Sequence, residues 1–275
     1  MDFVYCDDLV DQFLSSIKTP IVNKSDKYYV GVDLGTACVV SAVLNENGIP
    51  VAGAYQYANV VKDGMVVDYV GAINIVRTMK QKLEEQLDTE LNFAAAAIPP
   101  GTDGIDGGVV KNAVEGAGYE VNALLDEPSA ANEVVKIKDG VIVDIGGGTT
   151  GISVIKDGRV VYVADEPTGG THFSLVVAGA YKMPYEEAEL FKRDEKNHKV
   201  LLGVLKPVVE KISSIVTRHV QEYDVKELLL VGGTASLAGI EDIITQRTGI
   251  PTYKPKNPMF VTPLGIALSC VKGDA

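Results

Sequence analysis

Paired cysteines, basic clusters and long apolar runs are all missing from this sequence. Cys6, Cys38 and Cys270 stand far apart, so they form neither a disulfide framework nor a CxxC metal or cluster site. Lys and Arg number 25 against 37 Asp and Glu, a net charge of -12. A nucleic-acid or anionic-membrane surface needs clustered positive charge, and this balance argues against both. No run approaches the roughly 20 apolar residues of a membrane helix, and no basic-then-apolar leader is present. These absences point to a cytoplasmic protein with no nucleic-acid partner and no membrane span. His172, His198 and His219 show no HxxxH-type spacing, so a histidine metal site is not expected. What remains is 46% apolar and 23% charged over 275 residues. That suits one large well-packed domain or two moderate ones.

Two familiar phosphate devices are also lacking. No GxxxxGK[ST] occurs, and no GxGxxG opens a helix. The glycines are instead arranged as in "VIVDIGGGTTGISVIKDGRVVYV", residues 141–163. Val and Ile dominate both flanks, which reads as strands. Three glycines and two threonines interrupt them directly after Asp144, and Asp157-Gly158 makes a later turn. Such a turn leaves backbone N–H groups unshielded by side chains, the chemistry of an anion cradle; a flexible hairpin is the plain alternative.

The stretch "YYVGVDLGTACVVSAVLNENGIPVAGAYQY" from Tyr28 repeats these features about 110 residues earlier. Each copy has an apolar strand, Asp, a hydrophobic residue, Gly and Thr. A second strand, an Asn-Gly or Asp-Gly turn and a third strand follow. This period is too long for a solenoid and suggests two related halves. Between the copies, "GAINIVRTMKQKLEEQL" has one apolar side and reads as a surface helix. "NFAAAAIPPG" reads as a buried strand ended by Pro99-Pro100. Helix, strand and helix follow, the last with Pro128 at its start. After the second copy, "MPYEEAELFKR" and "LLGVLKPVVEKISSIVTRHVQEY" read as helices. "KELLLVGGTASLAGIEDIITQRTGI" reads as strand, Gly-Gly turn and helix, and "PLGIALSCV" as a final helix. Alternating strands and helices imply an α/β fold. Residues 1–27 stand apart: Phe3, Cys6, Val10, Phe13 and Ile17 recur at helical spacing before a polar connector, "NKSDK". That helix either packs back on the body or serves as a docking or targeting segment; nucleotide binding is expected to survive its removal.

Three Gly-bearing turns, "DLGT", "DIGGGTT" and "VGGTAS", each follow an apolar strand. Two of them, each led by an aspartate, suggest a phosphate chain gripped from two sides. Backbone N–H groups and the hydroxyls of Thr36, Thr149 and Thr150 would be the donors. Asp33 and Asp144 would face a Mg²⁺ that keeps waters between itself and the carboxylates. Glu127, before Pro128, would orient an attacking water, or would merely cap the helix that follows.

These motifs resemble those of the actin, Hsp70 and sugar-kinase ATPase superfamily. "VDLGT" and "VDIGGGTT" are similar to its two phosphate motifs, and "LLLVGGTASLAGI" to its adenosine motif. "LLDEPSAA" and "PLGIALS" are similar to its two connecting helices. All five stand in the family's order over about 240 residues. Gly169-Gly170-Thr171-His172-Phe173 and Ala188-Glu189-Leu190-Phe191-Lys192 resemble further elements of the bacterial cell-shape actins and Hsp70-like proteins. Length and pattern look most like the Hsp70-like proteins of ethanolamine utilisation, linked to bacterial microcompartment metabolism.

The resemblance implies an actin-like, duplicated ribonuclease H-like fold, with two related lobes around a nucleotide cleft and trimmed outer subdomains. Residues 28–140 with 262–275 would form lobe I and 141–261 lobe II, after the N-terminal segment 1–27. Its implied ligands are ATP or ADP with Mg²⁺. Gly35, Thr36, Ala37, Gly146, Gly147, Gly148, Thr149, Gly169 and Gly170 would lie along the phosphates. Asp33 and Asp144 would hold the hydrated metal, and Glu127 would place the hydrolytic water. Glu189 and Lys192 would approach ribose and adenine, with Gly232 and Gly233 giving the base close backbone access.

Departures from the family qualify its activity. After the second connecting helix the chain has no room for an Hsp70 peptide-binding domain, and Lys62 does not match the catalytic lysine of the Hsp70 relatives. The expectation is an ATP-binding, slowly hydrolysing conformational switch or chaperone, acting on a metabolic-enzyme or microcompartment client. The alternative is a filament-forming or scaffold ATPase of the cell-shape or pilus-assembly type, which self-associates. A small-molecule kinase would need a larger substrate-binding insertion.

Overall fold

The computed structural model describes residues 3–22, 25, 27–62, 64–98, 100 and 105–273. Asn23, Lys24 and Asp26 of the expected connector, Asp63, Pro99 and residues 101–104 lie outside that set. The chain forms two compact units, one up to Lys136 with the residues from Phe260 onward, the other Ile137–Met259.

In the first unit, helix α1 (Val4–Lys18) precedes the strands β1 (Tyr28–Leu34), β2 (Cys38–Asn45) and β3 (Pro50–Tyr57). A two-residue ladder, β4 (Val61–Lys62) and β5 (Met65–Val66), leads to α2 (Tyr69–Leu87) and β6 (Phe93–Ile98). Then come α3 (Ile105–Gly116), β7 (Glu120–Asp126) and α4 (Glu127–Val135). The second unit holds β8 (Gly140–Ile145), β9 (Thr150–Lys156), β10 (Arg159–Glu166), α5 (Gly170–Tyr181), α6 (Tyr185–Arg193) and α7 (His198–Val220). It ends with β11 (Leu228–Val231), α8 (Ile240–Thr248) and β12 (Thr252–Tyr253). Helix α9 (Val261–Gly273) returns to the first unit.

The repeat seen in the sequence is a repeat of topology. One five-stranded sheet runs β3-β2-β1-β6-β7 and the other β10-β9-β8-β11-β12. In each, the first three strands form antiparallel pairs and the last two join in parallel. Asp33 faces Val40 across β1 and β2, and Asp144 faces Gly151 across β8 and β9. The two aspartates therefore hold equivalent register positions, one residue before each strand's end. Asp157 (φ 52°) and Gly158 (φ 73°) make the two-residue turn joining β9 to β10. Left-handed conformations at both positions match the twist of a tight hairpin.

Strand alternation decides which side each residue buries. Val30, Val32 and Leu34 of β1 join Val76, Leu83 and Val114 of α2 and α3. Tyr29 joins Ala130 of α4 with Ile266 and Cys270 of α9. On that second side backbones approach closely: a Cβ on Gly31 would sit 2.4 Å from the Ala267 nitrogen, and one on Gly265 only 1.7 Å from the Ala130 carbonyl oxygen. In the other unit, Val141, Val143 and Ile145 pack with Phe173, Leu201, Leu205 and Ile212 of α5 and α7.

Helix α1 packs back on the first unit. Cys6, Leu9, Val10 and Phe13 are buried, and the Phe13 ring lies edge-on to Phe260 at 5.6 Å. A Cβ on Gly53 would come within 2.3 Å of that ring, so the glycine makes space for it. Burial, with Asp7 adding to it, pushes the Cys6 thiol up to about 12. Among the described residues, no helix is long and apolar enough to cross a membrane.

Candidate functional site

Strand β8 delivers Asp144 and then the glycine loop. The Gly146 N–H donates to the Thr149 carbonyl at 3.0 Å, closing the turn that returns into β9. The Gly146 carbonyl accepts from the Gly170 N–H (2.9 Å) and the Thr234 hydroxyl (2.8 Å). The Gly147 carbonyl accepts from the Thr171 N–H (2.7 Å) and hydroxyl (3.0 Å). Among the described residues no peptide bond is cis. In a trans peptide the next residue's N–H points opposite the carbonyl. The N–H groups of Gly147 and Gly148 therefore face away from the first turn of α5, and neither has a protein acceptor among the described residues. Two such amides side by side are an anion-binding concavity.

Small residues are required around this loop. A Cβ on Gly169 would lie 2.8 Å from the Gly146 carbonyl oxygen, and one on Gly170 2.5 Å from the Thr234 hydroxyl. Gly232, at φ 89°, follows β11 beside Asp144, and its Cβ would sit 2.2 Å from the Asp144 carboxylate. Asp144 is 6% exposed. Strands β8 and β11 are parallel, so Asp144 and Gly232 emerge at one edge of the sheet, where open α/β sheets bind ligands. The Thr150 hydroxyl, expected as a phosphate donor, instead donates to the Thr168 carbonyl at 2.5 Å and is fully buried. It braces the loop from within.

Helix α6 clamps the start of α5. The Lys192 ammonium donates to Glu189 (2.8 Å), the Ser174 hydroxyl (2.9 Å) and the Gly170 carbonyl (3.0 Å), which uses all three of its protons. Arg193 donates to the other Glu189 oxygen at 2.8 Å, and Ser174 donates to Glu189 as well. Burial pulls the Lys192 pKa down, with Glu189 offsetting part of that. Burial would raise Glu189, but Lys192, Ser174 and Arg193 together hold it below the usual carboxylate range. The pair expected beside ribose and adenine is thus engaged with itself and with α5. The turn after β11 is braced by Lys254, whose ammonium meets the carbonyls of Ala235 (3.0 Å) and Leu237 (2.7 Å) and the carboxylate of Glu241 (2.9 Å).

In the first unit, Asp33 is half-buried near the end of β1. A Cβ on Gly35 would lie 2.8 Å from the Cys38 carbonyl oxygen, so this turn also demands glycine. Thr36 and Ala37 complete it, and the Ala37 carbonyl accepts from the Ala58 N–H at 3.3 Å. Glu127 is the first residue of α4, but the cap is Asp126, whose carboxylate accepts from the Ser129 N–H at 2.9 Å. Strands β1, β6 and β7 run parallel, so Asp33 and Glu127 share the carboxyl edge of their sheet.

Ethanolamine utilization protein EutJ of Salmonella typhimurium is 44% identical to this chain over 242 residues, 88% of this chain and 85% of that protein. The chain belongs to the EutJ family. A crystal structure of EutJ from Carboxydothermus hydrogenoformans matches with a TM-score of 0.90 and 49% identity, covering 95% of this chain and 97% of that one. MreB5 of Spiroplasma citri bound to ADP shares the fold at a TM-score of 0.69 and 17% identity, covering 87% of this chain and 95% of that one. The model of the type IV pilus assembly protein PilM matches residues 109–259. The actin-like superfamily and α/β fold expected from the motifs are those of this EutJ-family chain.

Sequence reasoning did not single out Thr234, Ser174, Lys254 or His198. Their partners are mostly backbone carbonyls and amides distant in the chain, and no local motif signals such a bond. Among the described residues no three His, Cys, Asp or Glu side chains gather as a metal-binding group. Mg²⁺ needs only one or two carboxylates and keeps several waters. Asp144, beside outward-facing amides, fits that donor set.

Proposed function

We propose that this EutJ-family chain is an ATP-binding, actin-like conformational switch acting in ethanolamine utilisation on a metabolic-enzyme or microcompartment partner. The observation that carries the reading is the outward-facing Gly147 and Gly148 amides beside Asp144. The ADP bound by MreB5, a protein of the same fold, supports it. In this reading Gly146, Gly147, Gly148 and Thr149 contact phosphates. Gly169 and Gly170 leave them room, and Gly232 and Gly233 admit the base. Glu189 and Lys192 act at the nucleoside by holding α5 and α6 together. Asp144 would hold hydrated Mg²⁺, which when bound offsets phosphate charge. Glu127 orients the water for a slow hydrolysis.

The test is a melting curve with ATP, ADP or a non-hydrolysable analogue, each with Mg²⁺. A ligand at about 100 times its dissociation constant stabilises by roughly 2.7 kcal/mol. No shift with any of the three would remove the reading. Asp144→Ala should weaken Mg²⁺-dependent binding, whereas Glu127→Ala should spare binding and slow turnover.

The PilM match over residues 109–259 favours a second reading, an assembly scaffold that self-associates or docks a partner. Light scattering with and without ATP separates the two: nucleotide-dependent growth in mass belongs to the scaffold.

A further inference from the structure

His198 is the first residue of α7 and only 5% exposed. Its Nδ1 lies 3.2 Å from the Ala238 backbone nitrogen, and its Nε2 lies 3.2 Å from the Lys192 carbonyl oxygen. A peptide N–H can only donate and a carbonyl can only accept, so the two contacts determine the tautomer. The proton is on Nε2 and the lone pair on Nδ1 faces Ala238.

The two partners belong to the two elements that flank the glycine loop. Lys192 is the α6 residue whose ammonium holds the Gly170 carbonyl. Ala238 ends the turn whose Thr234 hydroxyl holds the Gly146 carbonyl. Gly170 and Gly146 are themselves joined, N–H to carbonyl, at 2.9 Å. The bonds close a ring: Gly146, Thr234, the turn to Ala238, His198, Lys192, Gly170 and back to Gly146. Only the His198 link in this ring depends on an imidazole lone pair, an acceptor that a proton can occupy.

We propose that His198 is a positioning residue that sets the spacing between α6 and the Gly232–Ala238 turn, and that its protonation weakens recognition of the nucleoside. A proton on Nδ1 puts a donor against the Ala238 N–H and opens the ring there, while the Lys192 contact survives. The phosphate amides of Gly147 and Gly148 are fixed separately, through α5, so binding of a bare phosphate chain is insensitive. Ionisable groups on the surrounding elements are Glu189, Lys192 and Arg193 of α6, Asp194, Glu195 and Lys196 beyond it, and Lys199 of α7. Glu241, Asp242 and Arg247 of α8 and Lys254 also belong to this set. His172, a second imidazole near the site, accepts from the Gly169 N–H at 3.4 Å. Its contribution is common to the wild type and the variant below. The proposal rests on the nucleotide reading above.

The experiment is calorimetric titration of ADP with Mg²⁺, and of inorganic tripolyphosphate, at several pH values from about 8 down to about 5.5, the span in which imidazoles titrate. Wild type is compared with His198→Gln, whose amide supplies one donor and one acceptor at every pH. Wild-type affinity for ADP should fall about tenfold more than that of His198→Gln, the size of one buried hydrogen bond lost. Tripolyphosphate profiles should coincide. Parallel ADP profiles in the two proteins, with ADP bound, would overturn this inference and leave nucleotide binding standing. No ADP binding at any pH would overturn both. If His198→Gln does not fold, nitrogen-15 imidazole shifts of the wild type decide. An Nε2–H tautomer whose protonation tracks the loss of ADP affinity supports the proposal; an Nδ1–H tautomer, or protonation without loss of affinity, overturns it.

Discussion

The Thr234 hydroxyl reaches across 88 residues of sequence to hold the Gly146 carbonyl at 2.8 Å. This contact ties the turn after β11 to the glycine loop after β8, and it does so without any charged group. Thr234→Val keeps the shape and removes the donor, while the Gly170 N–H still occupies the carbonyl. The expected loss is about 1 kcal/mol in urea denaturation, with weakened nucleotide binding. An unchanged midpoint would mean that the Gly170 bond alone holds the loop.

Glycines around the site should separate sharply from glycines elsewhere. Gly232→Ala places a methyl group 2.2 Å from the Asp144 carboxylate at φ 89°, so nucleotide binding should be lost as Asp144 is displaced. Gly203 lies inside α7 with nothing within 4 Å of its Cβ position. Gly203→Ala should therefore stabilise by roughly 0.5–1 kcal/mol. Thermal melting and titration of both variants check the contrast.

The Glu189–Lys192 pair makes an acid-stability prediction. The folded-state pKa of Glu189 is lowered below its ordinary 4.5. A depressed carboxylate stabilises fully above the unfolded value, and the contribution is lost as pH falls through the lower folded value. Stability followed by urea from pH 7 towards about pH 3 should therefore decline less in Glu189→Gln than in wild type. At neutral pH the same variant leaves Lys192 buried without its carboxylate, at a cost of about 3 kcal/mol.

Much of this was legible in the sequence because hairpins and buried strands carry their own signals. The repeat of "DLGT" in "DIGGGTT" foretold two sheets of one topology. Helix α5 has no clear helical signal in the sequence. Its residues Thr171–Tyr181 include neighbouring Val176 and Val177 and follow two glycines, and propensity alone marks such a run poorly. Its helical state is supported by tertiary bonds, the loop carbonyls of Gly146 and Gly147 on its first amides. Strands β4, β5 and β12, two residues each, have no period to detect. His198 carries no metal spacing, and nothing local in the sequence points to a partner on residue 238.

Helix α1 should matter for stability. Phe13→Ala removes a fully buried ring between Gly53 and Phe260, a change expected to cost about 3–5 kcal/mol. Deleting residues 1–18 should lower the melting temperature of the first unit. Retention of the full melting temperature would show that the helix is only laid on the surface.

The contact of Gly265 with Ala130 has a consequence for synthesis. The second unit is one continuous stretch, Ile137–Met259, and can complete itself as soon as it leaves the ribosome. The first cannot, because Gly31 and Ala130 pack against α9, which is translated after the whole second unit. Domains generally finish in the order they are made. Here the half that begins first must wait with one side of its sheet uncovered, so the nascent chain before Val261 is where a chaperone would be needed.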